Sequence, residues 1–289
     1  MTQQHQIKAI DAHHHVWDPA RGDYSWMTPA HDPIARVFTT DDLAPELATA
    51  SVSHSVLVQT WSSVAETETF LRIAERVPFV AGIVGWIDMT SPDSGEALDR
   101  LLALPEGRHL KGIRHQVHDE DDPDWLRRDD VMRSLAEIDR RGLSYDLLIR
   151  PREIPAALEV SRTFPTLRLI LDHIAKPDIA SGAMTPWANQ MEAFALHRDH
   201  VWCKISGLVT EDDWTSRDDE RLVPYVETVL SIFGTDRVMY GSDWPVCLLA
   251  GGYGRTLALL RRMIETWPED VATAILRGNA SDAYDLRLD

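Results

Sequence analysis

Eight short β-rich runs, separated by longer stretches of helical periodicity, follow one another along the chain. They lie at residues 7–13, 55–59, 79–86, 110–115, 143–149, 167–173, 201–206 and 237–243. Most are nearly continuous in apolar residues, the pattern of strands covered on both faces. Between them, Ser63-Val64-Ala65-Glu66 has the form of a capping box ahead of Phe70, Leu71, Ala74 and Val77. Val131, Leu135 and Ile138 recur at helical spacing, with Gly142 as a C′ stop, and Phe233-Gly234 repeats that ending before the eighth run. A strand–helix repeat builds right-handed parallel units, and eight of them predict a closed (β/α)8 TIM barrel of the α/β class. The 289 residues suit one barrel domain, 1–289, because such a barrel needs about 250. An open doubly wound sheet is disfavoured, since no G-x-G-x-x-G follows the first run.

Loop lengths predict which end carries function. The segments after the runs are long (16–38, 116–127, 207–219, 244–254), and those entering them are short. In this architecture the post-strand loops build the active-site face. Asp119 to Asp124 reads as a solvated acidic turn.

Composition removes several classes of partner. A formal net charge of -17 opposes binding to nucleic acid or an anionic membrane surface. No apolar run approaches the ~20 residues that span a bilayer. The first eight residues are polar, unlike a secretory signal, so a cytoplasmic enzyme is expected. Two cysteines, Cys203 and Cys247, make neither a disulfide framework nor a four-cysteine zinc site. No G-x-S-x-G elbow and no phosphate loop are present.

The ends of the runs hold the chemistry. In Asp11-Ala12-His13-His14-His15-Val16-Trp17, strand alternation puts His13 and His15 on one face and His14 on the other. Two adjacent imidazoles suit a divalent metal, or a pair of donors to a polarised oxygen. His173 ends the sixth run and Asp243 the eighth. Either alone could be a core histidine or a helix cap; together they deliver their groups to one rim. Gln59, Trp86, Asp88, Lys111, Arg114, Tyr145 and Lys204 add polar groups at other strand ends. Alternation lets only one of Lys111 and Arg114 face inward, and Arg114 is nearer the rim. His31 and His115 lie near the same rim.

These residues resemble the amidohydrolase superfamily. The run 11–17, Leu110-Lys111-Gly112-Ile113-Arg114, Leu171-Asp172-His173 and Tyr240-Gly241-Ser242-Asp243-Trp244-Pro245 are similar to its sugar-lactonase branch. That branch holds L-fucono- and L-rhamnono-lactonases, with pyrone-dicarboxylate lactonases more distant. The resemblance extends from about Ile7 to Gly278-Asn279-Ala280. It implies that His13 and His15 are the H-x-H of the first strand, His173 the strand-six histidine and Asp243 the general base. The chain departs from two-metal members, with Ser144-Tyr145-Asp146 where they carry a fifth-strand histidine. The expectation is one divalent ion, Zn2+, held by His13, His15 and Asp243 with or without His173, or a metal-independent site. The implied reaction is hydrolysis of a sugar lactone by water activated at Asp243. Gln59, Arg114 and Tyr145 are expected to bind sugar hydroxyls, and Trp26 and Trp86 the apolar ring face. Rival readings are an amide hydrolase or metal-dependent decarboxylase of the same superfamily, and a non-catalytic binding barrel. A monomer or a homodimer both fit an acidic chain of this size.

Overall fold

The computed structural model describes residues 7–288. Eight strands form one parallel sheet in sequence order: β1 Ala9–His14, β2 Val52–Val58, β3 Val80–Gly85, β4 Leu110–His115, β5 Ser144–Leu147, β6 Arg168–Leu171, β7 Val201–Ile205 and β8 Val238–Tyr240. The ends meet through the backbone beyond β8. Asp243 donates its N–H to the His13 carbonyl (2.8 Å) and His15 donates to the Trp244 carbonyl (2.7 Å). Asp11 completes the closure, accepting from the Ser242 N–H at 2.8 Å and the Tyr253 hydroxyl at 3.0 Å. The predicted (β/α)8 barrel is therefore the observed one.

The helices are α1 Thr40–Ala50, α2 Val64–Arg76, α3 Ser94–Leu102, α4 Asp129–Arg140, α5 Ile154–Thr163, α6 Trp187–Met191, α7 Leu208–Glu211, α8 Val223–Phe233, α9 Arg255–Met263, α10 Glu269–Thr273 and α11 Asn279–Tyr284. The stop after α4 forms as predicted. Gly142 sits at φ +67°, its N–H bonding the Asp139 carbonyl while Leu143 bonds that of Ile138, the paired closure of a Schellman motif. The capping box before α2 does not form. Ser63 accepts from Ala65 N–H at 3.2 Å, but Glu66 turns away. Its carboxylate takes the N–H groups of Thr60 and Trp61 and the Thr60 hydroxyl instead, tying the loop after β2 to the helix.

Two apolar clusters hold the barrel. The larger fills the layer between strands and helices. The smaller plugs the barrel interior at the end opposite the long loops, where Ile10, Val56, Val84, Ile170 and Met239 pack against Ala283 and Tyr284 of α11. Polar side chains occupy the interior above that plug.

Three strand ends differ from expectation. β6 and β8 stop at Leu171 and Tyr240, short of His173 and Asp243, which both have left-handed backbones (φ +51° and +57°). In β1 the pairing with β2 slips by one residue between Asp11 and His14. Ile10 and Ala12 pack in the interior cluster below this bulge, and His13 and His15 still reach the interior above it.

Candidate active site

The four rim residues converge. His13 Nε2 and His15 Nε2 are 3.1 Å apart. One Asp243 carboxylate oxygen lies 3.4 Å from His15 Nε2, 3.7 Å from His13 Nε2 and 3.9 Å from His173 Nε2. Each imidazole is oriented from behind. His15 Nδ1 is 2.8 Å from the Val58 carbonyl, which can only accept, so Nδ1 carries a proton and Nε2 faces the cluster. His173 Nδ1 bonds the Ser206 hydroxyl at 2.9 Å.

Backbone strain aims His173. Residues His173, Ile174, Ala175 and Lys176 all have φ between +48° and +59°. A β-branched isoleucine in that region is costly and persists only where packing over-determines it. Ile174 and Ala175 are fully buried, and the Ile174 carbonyl accepts from Trp187 Nε1 at 2.7 Å. The His173 ring then fits only because residue 207 is glycine: a Cβ there would meet the imidazole at 2.6 Å.

Beneath the histidines lies a buried charge network. Lys204 of β7 contacts Asp146 of β5 (2.6 Å), Asp172 (2.8 Å) and His13 Nδ1 (3.1 Å). Arg114 of β4 pairs with the other Asp172 oxygen at 2.9 Å and approaches His13 Nε2 at 3.3 Å. It also takes Gln59 Oε1 and the Gln59 carbonyl as acceptors. Tyr284 of α11 donates to Asp146 at 2.6 Å. Burial pushes the Asp172 carboxyl up, but Lys204, His13 and Arg114 outweigh it and hold it well below the usual range. Burial likewise raises Asp243, and the surrounding histidines more than offset this, leaving it ionised. Burial lowers His13 well below its ordinary value and His173 to about 3, so both are neutral at neutral pH.

The face expected to leave the site also titrates. His14 is fully buried, and burial lowers it to about 3 from an ordinary 6.5. A group depressed on folding contributes stability that is complete above its unfolded pKa and lost as pH falls toward the folded one. Metal-free protein is therefore expected to lose stability as pH drops from about 6.5 to 4. Urea unfolding should show a shallower loss for His14→Gln than for the wild type; parallel curves would remove His14 as a contributor.

Above the cluster opens a cavity of about 420 Å³, lined by His15, His173, Asp243 and Arg114 at its floor. Trp26, one of the expected ring contacts, lines it, as does His31. Three other expected contacts, Trp86, Tyr145 and Gln59, lie outside this lining. Trp86 is turned aside: its Nε1 donates to His115 Nδ1 at 3.1 Å, and His115 stacks on Trp125 with centroids 4.3 Å apart. Tyr145 is fully buried among core side chains and does not reach the cavity. Gln59, also fully buried, holds Arg114 rather than facing the opening. Lys111 lies on the other face, donating to the Asp285 carbonyl, so Arg114 is the inward residue as alternation required. The acidic turn is likewise not wholly solvated, since Asp119 lines the cavity and pairs with His118 at 3.1 Å.

Sequence reasoning had given no role to Asp172, Asp146, His118, Arg150, Lys176 or Glu211. Asp172 and Asp146 stand at strand ends beside singled-out residues, and charged groups flanking apolar runs were the available signal. His118, Arg150 and Lys176 lie outside the α-helices and strands and Glu211 ends the one-turn helix α7, where no periodicity predicts direction.

Comparison with known proteins identifies relatives along the whole barrel. Residues 10–286 match the family model described as Amidohydrolase. The chain is 38% identical over 279 residues to an L-fucono-1,5-lactonase of Burkholderia ambifaria, covering 95% of this chain and 94% of that protein. It is 32% identical to an L-fucono-1,5-lactonase of Burkholderia multivorans, covering 96% of each. Among solved structures, an amidohydrolase from Burkholderia multivorans crystallised with bound zinc superposes with a TM-score of 0.90 at 32% identity, covering 97% of this chain and 100% of that one. A family match spanning the barrel from β1 to α11, with such relatives along its full length, makes this chain a member of the amidohydrolase family.

Proposed function

We propose that this protein hydrolyses a sugar-derived lactone to its aldonic acid, with Asp243 as the general base. The observation that carries the reading is a single ionised carboxylate oxygen within 3.9 Å of three imidazole nitrogens at the floor of an open cavity. The names of the relatives support the substrate class.

The donor set also fits one divalent ion. Tetrahedral zinc with ligands at about 2.0–2.1 Å has ligand atoms about 3.3 Å apart. His13 Nε2, His15 Nε2 and the Asp243 oxygen are separated by 3.1, 3.4 and 3.7 Å. His13, Asp172 and His173 form a second group of three, with ligand atoms within 4.8 Å of one another. His13 Nε2, which Arg114 Nη1 approaches at 3.3 Å, would be one of the atoms that hold the ion. Bound at this site, zinc would supply Lewis-acid polarisation of the lactone carbonyl.

The chain's own residues do the rest. Asp243 accepts a proton from water as the oxygen attacks the carbonyl carbon. It returns that proton to the ring oxygen as the carbon–oxygen bond breaks, giving a carboxylic acid and a free hydroxyl. His15 and His173 are held by Val58 and Ser206 so that their Nε2 atoms face the reacting group. The Arg114 guanidinium, 3% exposed and at the cavity floor, places a fixed positive charge beside the developing oxyanion.

Acid release from a panel of aldono-lactones tests the reaction. Turnover of at least one sugar lactone, with none of amides or aromatic acids, is expected; the opposite pattern overturns the reading. Metal analysis tests the ion. About one zinc per chain is expected in wild type, falling to background in the double variant His13→Ala/His15→Ala. Equal zinc in both would remove these histidines as ligands.

A further inference from the structure

The cavity wall beyond the histidines is built from paired charges that the hydrolysis step does not use. The left-handed turn that aims His173 ends at Lys176, whose N–H bonds the His173 carbonyl at 2.8 Å. One strained segment thus delivers an imidazole to the reaction centre and an ammonium farther along the same lining. Lys176 is ion-paired with Glu211 of α7, the two side chains being 17% and 21% exposed. A second pair, His118 Nε2 to Asp119 at 3.1 Å, comes from the loop after β4. Lys176 and Arg150 both act electrostatically on His118 and on Asp119, so the two pairs and Arg150 share one neighbourhood. The aromatic part of the lining is continuous: Trp17, Trp26, His31 and Trp214 meet successively with ring centroids 5.8, 5.4 and 5.4 Å apart.

Such a wall matches one kind of ligand. A deoxygenated lactone entering this cavity would strip water from the ion pairs and return no hydrogen bond, an unfavourable exchange. A hydroxyl both donates and accepts. A Lys–Glu pair offers a donor and an acceptor side by side, so adjacent hydroxyls of a diol can bridge it, while the aromatic edge receives the ring's C–H face.

We propose that Lys176–Glu211, with His118–Asp119 beside it, is a diol-reading subsite that selects polyhydroxylated lactones over deoxygenated ones. This inference rests on the lactonase reading above and assigns substrate selectivity within it to residues outside the histidine cluster.

The test compares kcat and KM for an aldono-1,5-lactone and for δ-valerolactone in wild type, Glu211→Gln and Lys176→Met, with thermal midpoints recorded for each. Glu211→Gln keeps the side-chain size on a different element, so it stands if Lys176→Met disturbs the strained turn. Wild type is expected to prefer the aldonolactone. Sites built to bond a hydroxyl lose roughly 10- to 100-fold when one charged partner is removed. Each folded variant should therefore lower the aldonolactone/valerolactone ratio of kcat/KM by at least about tenfold, chiefly through KM for the aldonolactone. A smaller change in the ratio, or equal losses on both substrates, overturns the subsite. A wild type that turns over both lactones equally overturns the subsite alone. One that turns over neither of these, nor any lactone of the aldonolactone panel, sinks the lactonase reading and the subsite with it.

Discussion

Asp243→Asn is expected to lower kcat for lactone hydrolysis by roughly 10²- to 10⁴-fold, the usual worth of a positioned general base, with KM changed far less. The substitution isolates the proton acceptor from the architecture around it. Asparagine tolerates the left-handed backbone at φ +57° as well as aspartate does. The closure bonds at this residue are made by its backbone, Asp243 N–H to His13 and Cys247 N–H to the Asp243 carbonyl, and survive the change. The amide nearly matches the carboxylate in volume in a site where only 4% of the residue is exposed. Steady-state kinetics beside a thermal melt decides the matter. Wild-type kcat in a folded variant would remove Asp243 from the mechanism. Collapse of the melt would show instead that the three histidines need its charge for stability.

Lys204→Met is the second large effect, and it falls on stability. Lys204 and both carboxylates it serves are fully buried, with Nζ 2.6 Å from Asp146 and 2.8 Å from Asp172. Methionine replaces the stem but removes the one cation that contacts Asp146 among the described residues; Asp172 keeps Arg114. Breaking a buried pair from one side costs about 3–5 kcal/mol, because a charge is left in a low-dielectric interior. For a chain of this size the melting temperature should drop by about 5–8 °C. The double variant Lys204→Met/Asp146→Leu should recover much of the loss, since an apolar replacement of both partners leaves no uncompensated charge at that point. Calorimetry of the two variants checks this, and a double variant no more stable than the single one would show that Asp172 and Tyr284 carry the cost.

The barrel was readable because eight two-face-buried strands separated by helices leave little choice of topology. The rim set His13, His15, His173 and Asp243 was readable for a related reason: residues just past a barrel strand's C-terminal end have one common destination. The manner of their arrival was not. Strand alternation placed His13 with His15, yet it knows nothing of the bulge that shifts the inward phase between Ala12 and His13. His173 and Asp243 lie past the end of regular pairing, on left-handed backbone that no strand pattern encodes.

Among the supporting residues, legibility stops where direction depends on neighbours. Trp86 and Tyr145 have suitable chemistry and suitable positions in the sequence. What turns Trp86 away is His115, twenty-nine residues on, and what closes off Tyr145 is the packing around it. The Lys204–Asp146–Asp172–Arg114 network joins β4, β5, β7 and the turn after β6, and each charge is tolerable only because the others are present. Linear order therefore determined the class of fold and the four groups that converge at one rim of the barrel. Tertiary structure alone decided which charges are paired, which rings face the cavity and what its walls can recognise, because those follow from contacts between residues far apart in sequence whose energies depend on burial.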